Sequence, residues 1–354
     1  MSSDLISTIN KKPSRLIFFI NLQFVKLIQM KKNIAVVVGG FSSESVISMK
    51  SGEQVAQNID KKLFDVYIVN ISKDGWVVKS DLVCDIPVNM ADFSFSYNNR
   101  KVKFDFAFIL IHGHPGENGV LQGYFDIIGI PYSTGGVKTL ALTFDKYQSK
   151  LFLAQFDIIS AKSIFLYSKN QLKIKDIVDR IGLPCFVKPN ASGSSFGISK
   201  VKDIKLLEEA VETAFAEDSH GVIIESFIEG TEVSCGVFKT KNKSLVFSPT
   251  EIITDNDFFD YEAKYIDNKT QEITPARLPK EIIKKIQDIS SKIYDLFQCK
   301  GIVRIDFIIQ DKIPYFIEIN TVPGMSAESL FPKQVKEKNM NMQDILTQVI
   351  NDLS

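Results

Sequence analysis

An α/β fold, α+β in part and arranged as three compact units in series, is what the sequence predicts. Three observations carry this. Apolar runs of strand length alternate with helix-like stretches from residue 33 onward. The 354 residues fit two or three domains. Hydrophobic residues at 45% and charged residues at 24% match ordinary globular composition and exclude a disordered, collagenous or many-span chain. Lys+Arg and Asp+Glu both number 42, so net charge gives no general pull toward nucleic acid or anionic membrane. Cys84, Cys185, Cys235 and Cys299 are far apart and the chain has three histidines, which argues against a disulfide framework or zinc site. Reduced thiols and a cytoplasmic location are expected.

At the start, Lys11, Lys12 and Arg15 precede an apolar run, 16–25, interrupted by Asn21 and Gln23. The order resembles a signal peptide, but no small-residue cleavage site follows and the run is too short to span a bilayer. Met30-Lys31-Lys32 leads directly into a strand, so residues 1–29 read as a dispensable or misassigned extension. Strands are then expected at 33–38, 64–70 and 104–110 with a helix over 45–59, making 30–134 a Rossmann-like parallel-sheet unit. The second unit, 135–224, has a helix around Asp145–Gln155, strands at 161–167, 184–189 and 197–201, and a helix over 204–216. The third, 225–354, has strands at 232–239 and 244–253 and a polar-aromatic loop at 254–272. A helix at 280–297, the strand pair 302–309 and 314–320, and a terminal helix near 342–352 complete it.

The segment GIVRIDFIIQDKIPYFIEINTVPGM (301–325) is the most informative. A hairpin centred on Lys312 sets Asp306 opposite Glu318, with Asn320 and Arg304 on the same face by the two-residue strand period. Two carboxylates and an amide oxygen suit Mg²⁺ or Mn²⁺. PCFVKPNASGSSFGISKV (184–201) delivers Lys188 beside a Gly/Ser loop whose backbone N–H groups can approach phosphate, although no Walker-type G-K-[ST] is present and a plain turn has the same composition. IIESFIEGTE (223–232) places Glu225, Glu229 and Glu232 at a strand end. Carboxylates there can hold an adenine amino group or ribose hydroxyls, but exposed glutamates usually do neither. FFDYEAKYID (258–267) packs aromatics around Lys264 in a loop long enough to act as a lid. GGFSSES (39–45) and HGHPGENG (112–119) follow strands, where open α/β sheets bind ligands.

Taken in this order, these segments resemble the D-alanine–D-alanine ligases of the ATP-grasp superfamily, over nearly all of 32–354. The resemblance implies a three-domain ATP-grasp architecture and a reaction that joins two D-alanines through a D-alanyl phosphate, for peptidoglycan precursors. It implies ATP contacts from Lys146, Lys188 and the lid's Lys264, with Glu225, Ser226, Ile228 and Glu232 along the nucleoside. It further implies two divalent ions on Asp306, Glu318 and Asn320. Glu44 takes the ammonium of the first D-alanine and links to Ser194 and Tyr265, and His112 lies with the substrates. Arg304 and the Gly324 backbone face the oxyanion, and Ser329-Leu330 take the second carboxylate. A homodimer is also implied. Departures from the family pattern stand at Ser45, Val46, Asn118, Ala191, Ser192 and Ser226. A ligase for a different second substrate (D-lactate or D-serine) and a non-catalytic nucleotide-binding regulator are the competing expectations. An NAD enzyme lacks its G-x-G-x-x-G.

Overall fold

Strand β1 (Lys32–Gly39) is a continuous apolar run because both its faces are covered: Ile34 to Val38 are fully buried. It pairs in parallel with β2 (Phe64–Ser72) and with β7 (Phe106–Ile109). The computed structural model describes residues 31–42, 44–80, 85–193, 196–254 and 270–354. The expected extension 1–29, together with Ser194, Lys264 and Tyr265, lies outside the described residues. Short antiparallel strands β3 (Gly75–Val78) and β4 (Ile86–Pro87) extend the first sheet to the order β4-β3-β2-β1-β7. A separate hairpin, β5 (Ser94–Tyr97) and β6 (Arg100–Lys103), carries Phe95 into an aromatic core with Tyr67, Phe93 and Phe104. Helices α1 (Ser45–Asn58) and α2 (Val120–Ile128) each follow a loop that leaves the carboxyl end of a parallel strand.

Two short helices, α3 (Val137–Phe144) and α4 (Lys146–Ala154), lead to an antiparallel sheet of order β10-β9-β11-β8. Its strands are β8 (Ser163–Leu166), β9 (Cys185–Pro189), β10 (Ser199–Val201) and β11 (Val222–Ser226). Helices α5 (Ile174–Arg180) and α6 (Leu207–Glu217) cover one face, and the buried core is drawn entirely from residues 166–224. Residue 224, the expected domain boundary, falls inside β11. The helix expected over 204–216 begins as a 3₁₀ turn at Ile204–Leu206, where the Asp203 side chain accepts from the Lys205 N–H.

The third sheet has the order β15-β14-β12-β16-β17, with β13 also on β12. It comprises β12 (Thr231–Lys239), β13 (Ser244–Val246), β14 (Thr250–Ile253), β15 (Gln271–Ile273), β16 (Ile302–Gln310) and β17 (Ile313–Asn320). The single strand expected over 244–253 is in fact two. Pro249 has no N–H to continue the ladder, and the chain leaves β12 after the Phe247 N–H reaches Gly236 O at 2.9 Å. Helix α7 (Lys280–Leu296) lays Ile282, Ile286 and Ile293 on the sheet, the i, i+4 stripe of an amphipathic helix. Helices α8 (Leu330–Glu337) and α9 (Met342–Leu353) cross to the first unit. Ile345, Leu346 and Val349 of α9 share one core with Val36, Val55 and Phe108. The first and third sheets are therefore joined by packed apolar surface, whereas the β8–β11 sheet keeps a core of its own. Among the described residues no helix is long and apolar enough to cross a membrane.

Candidate active site

The β16–β17 hairpin turns on two residues, Asp311 (φ 50°) and Lys312 (φ 64°), the paired positive φ of a tight hairpin turn. The expected centre on Lys312 is thus displaced by half a residue. Gln310 pairs with Ile313 and Phe307 with Phe316, and this register would carry Asp306 opposite Ile317. A bulge then intervenes. Ile317 is the extra residue, and beyond it Asp306 faces Glu318 while Arg304 faces Asn320. A one-residue slip exchanges the faces of a strand, so this bulge is what sets Glu318 beside Asp306.

The hairpin face is tightly bonded. Arg304 grips Asp306 with two N–H groups at 3.1 and 3.0 Å. The Ser234 hydroxyl donates to Asp306 at 2.6 Å and the Asn320 amide at 2.9 Å. Glu318 meets the Lys146 ammonium at 3.2 Å. Lys146 also donates to Ser192 O at 2.8 Å, which leaves that departure position acting through its backbone. Ala191 likewise uses its N–H, donated to Asp218 at 2.8 Å, and Val46 is an exposed side chain.

Helix α4 starts because Asp145 caps it, accepting from the Gln148 N–H at 2.8 Å. It presents Lys146 and, one turn on, Lys150. Lys150 is a residue the sequence reading missed, although the four-residue spacing from Lys146 was its signal. Its side chain is 5% exposed and its ammonium pairs with Glu225, whose other oxygen is 2.8 Å from Lys188. Burial, with Lys188 and Lys146 nearby, depresses Lys150 well below the ordinary lysine range, and Glu318 opposes them. Glu225 is not an exposed edge glutamate but a buried one. Opposed pairs on β9 and β11 set it on one face with Phe186 and Lys188.

At the carboxyl ends of β1 and β7, Glu44 is buried at the start of α1 and His112 is buried nearby, its Nε2 without a hydrogen-bond partner among the described residues. Burial lowers the His112 imidazole below the usual histidine range, Glu44 opposes this, and Arg304 reinforces it. Glu117 is a second residue missed. Its carboxylate accepts from Gly113 N at 2.9 Å and from Val322 N at 3.3 Å, bridging the first unit and the third. Burial pushes its carboxyl up to about 7. Gly193 lies so close to Glu44 that an added Cβ would stand 2.4 Å from Glu44 Oε2. Gly193→Ala is accordingly expected to raise the KM for the ligand of Glu44 by roughly tenfold to a hundredfold, checked by steady-state kinetics, since displacements near 1 Å carry such costs.

These groups surround one cavity of about 600 Å³. Lys146, Lys188, Glu225, Ser226, Ile228 and Glu232 line it, as do Glu44, His112, Gly324, Ser329 and Leu330. Arg304, Asp306, Glu318 and Asn320 belong to the same lining. Lys146, paired with the carboxylate–amide hairpin, and Lys188 in the same lining suit a polyphosphate brought up to a second anion.

Comparison with known proteins agrees. Residues 33–135 match the D-ala D-ala ligase N-terminus model and 149–351 the D-ala D-ala ligase C-terminus model. The D-alanine–D-alanine ligase of Azobacteroides pseudotrichonymphae is 48% identical over 324 residues, 91% of this chain and 100% of that protein. That of Phocaeicola vulgatus is 45% identical over 91% and 99%. Among solved structures, the VanG D-Ala:D-Ser ligase of Enterococcus faecalis superposes with TM-score 0.81 at 31% identity, over 91% of this chain and 99% of the other. The Bacillus anthracis D-alanine–D-alanine ligase complexed with ATP gives 0.72 at 31%, over 91% and 96%. The chain belongs to the D-alanine–D-alanine ligase family and has its ATP-grasp architecture.

Proposed function

We propose that the chain joins two D-alanines to D-alanyl-D-alanine through a D-alanyl phosphate, converting ATP to ADP and phosphate. The supporting observation is the cavity in which Lys146, Lys150 and Lys188 converge with the Arg304–Asp306–Glu318–Asn320 face. One D-alanine carboxylate attacks the γ-phosphate, and the second amine then displaces phosphate from the acyl phosphate. Two anions must meet in the first step, so cations have to offset their repulsion. Lys146 and Lys188, with Lys264 from the lid, take the phosphates. Glu225 accepts from the adenine amino group, the Ser226 and Ile228 backbones follow the adenine edge, and Glu232 takes the ribose hydroxyls.

The donor set also fits a hard divalent ion. Among the described residues no three His, Cys, Asp or Glu side chains gather, but two carboxylates and an amide on one hairpin face supply oxygen donors. Asp306, Glu318 and Asn320 would hold Mg²⁺ or Mn²⁺, two ions by family resemblance, with the Asn320 amide turned to present its oxygen. When bound, such ions draw charge from the phosphoryl oxygens.

Glu44 orients the first D-alanine through its ammonium, with His112 in the same lining, and the link to Ser194 and Tyr265 is one that the family resemblance implies. Arg304 and the Gly324 N–H face the oxyanion that develops at the attacked carbonyl. Ser329 opens α8, where free backbone N–H groups suit the second carboxylate. A lid over 254–272, as the resemblance implies, would keep water from the acyl phosphate. The product feeds peptidoglycan synthesis in the cytoplasm, the enzyme is a homodimer, and its three domains divide near 134 and after Ser226.

The fit to a D-Ala:D-Ser ligase supports a second reading, in which D-serine is the second substrate. Phosphate release from ATP with D-alanine, L-alanine, or D-alanine plus D-serine or D-lactate, with and without chelator, decides. No release with D-alanine alone removes the first reading, and chelator indifference removes the metal. Lys188→Ala is expected to raise the ATP KM roughly tenfold to a hundredfold and the D-alanine KM less, as for loss of one charge-assisted contact. The reverse ranking would take Lys188 away from the phosphates.

A further inference from the structure

Helix α4 sends two lysines into the cavity. The outer one, Lys146, meets Glu318 on the hairpin. The inner one, Lys150, runs to Glu225 on β11, and both members of that pair are 5% exposed. This ion pair joins separately packed parts of the molecule. Leu153 of α4 belongs to the core under the third sheet, whereas the strands bearing Glu225 and Lys188 rest on the core of the second. Asn190, at the end of β9, fixes the start of α4 by accepting from the Tyr147 N–H at 2.9 Å. Apolar residues, Phe186 and Phe227, line the cavity beside Glu225.

A carboxylate buried this deeply is expensive unless cations hold it. Lys188 can hold it, but the proposed reaction needs the Lys188 ammonium at the phosphates. Lys150 has no such second duty. It approaches the one carboxylate oxygen that Lys188 leaves. A carboxylate is acceptor-only. It suits the amino group at C6 of adenine and is opposed by the carbonyl at C6 of guanine.

We propose that Lys150 is a positioning residue that holds Glu225 as an ionised acceptor, and thereby sets the preference for adenine over guanine nucleotides. This rests on the reading that Glu225 faces the adenine amino group. Without Lys150, Glu225 keeps Lys188 but loses the cation on its other oxygen, and purine recognition suffers.

The test uses the full chain, with the ATP KM and the GTP inhibition constant measured by phosphate release at saturating D-alanine. Lys150→Met should raise the ATP KM by roughly tenfold or more, with the GTP constant and the D-alanine KM within about twofold. Glu225→Gln should lose the preference too. The double variant should then match Glu225→Gln within about twofold, because Lys150 acts through Glu225.

An unchanged ATP:GTP preference in Lys150→Met, or a further loss in the double variant, overturns the proposal. If Glu225→Gln loses the preference and Lys150→Met does not, the role of Lys150 alone is wrong. If Glu225→Gln keeps it, the adenine reading of Glu225 falls and this proposal with it. Should Lys150→Met not fold, Lys150→Gln, which keeps a hydrogen-bond donor on a similar stem but not the charge, replaces it with the same expected and overturning results.

Discussion

Glu318→Ala is expected to lower ATP-dependent phosphate release roughly a thousandfold, about 4 kcal/mol of transition-state stabilisation. Two losses coincide in that one change. The hairpin gives up one of the two carboxylates proposed to hold the divalent ions that would shield the triphosphate. Lys146, 3.2 Å from Glu318, keeps its bond to Ser192 O but loses its counter-charge in a largely buried setting. The fold should survive, because Glu318 is only partly buried and the register is held by Phe307–Phe316 and Ile305–Ile319. Phosphate release at saturating ATP and D-alanine, alongside circular dichroism, checks this. A folded variant within tenfold of the parent would sink the role given to Glu318.

Gly301→Ala should be the most damaging single change to the fold away from the cavity. Gly301 sits just before β16 at φ +68°, a conformation that costs other residues about 1–2 kcal/mol. An added Cβ would also lie 1.9 Å from the carbonyl oxygen of Ser133. That oxygen is backbone and its segment is pinned: the Ser133 N–H donates to Ala107 O at 3.0 Å, and its hydroxyl accepts from Ile109 N at 2.9 Å. The two units must therefore part, and a loss of about 4 kcal/mol or more is expected, the range of severe core disruptions. Gly129, at φ +71° with open space around it, is the control and should lose only about 1–2 kcal/mol as alanine. Thermal and denaturant unfolding of both variants checks the difference. Equal losses would show that the Ser133 contact is relieved by a small shift.

Part of the site could be read from sequence for a plain reason. Asp306, Glu318 and Asn320 are close along the chain, and a hairpin joins near neighbours by local rules of turn and period. Even there the agreement came about through two departures from the expected geometry. The turn is tighter than a centre on Lys312 requires, and the bulge at Ile317 restores the pairing of Asp306 with Glu318. Lys150 and Glu117 escaped notice because each gains its meaning from a distant partner. Lys150 reaches Glu225 across 75 residues, and Glu117 reaches Val322 across 205. Pattern alone leaves Glu225 ordinary for the same reason, since nothing in IIESFIEGTE says that two lysines bury it, and only the family resemblance singles it out.

Local pattern along the chain was enough for the alternation of strands and helices, the order of the ligand-bearing loops and the carboxylate hairpin, because periodicity and turn chemistry act over a few residues. What those features face was settled by packing between distant segments. Helix α9 closes the chain onto the first sheet through Ile345, Leu346 and Val349, while the β8–β11 sheet stands on its own core. Burial then fixes the charges. Glu225 and Lys150 become a desolvated pair and the Glu117 carboxyl moves to about 7, since the cost of a charge depends on the water and partners left around it.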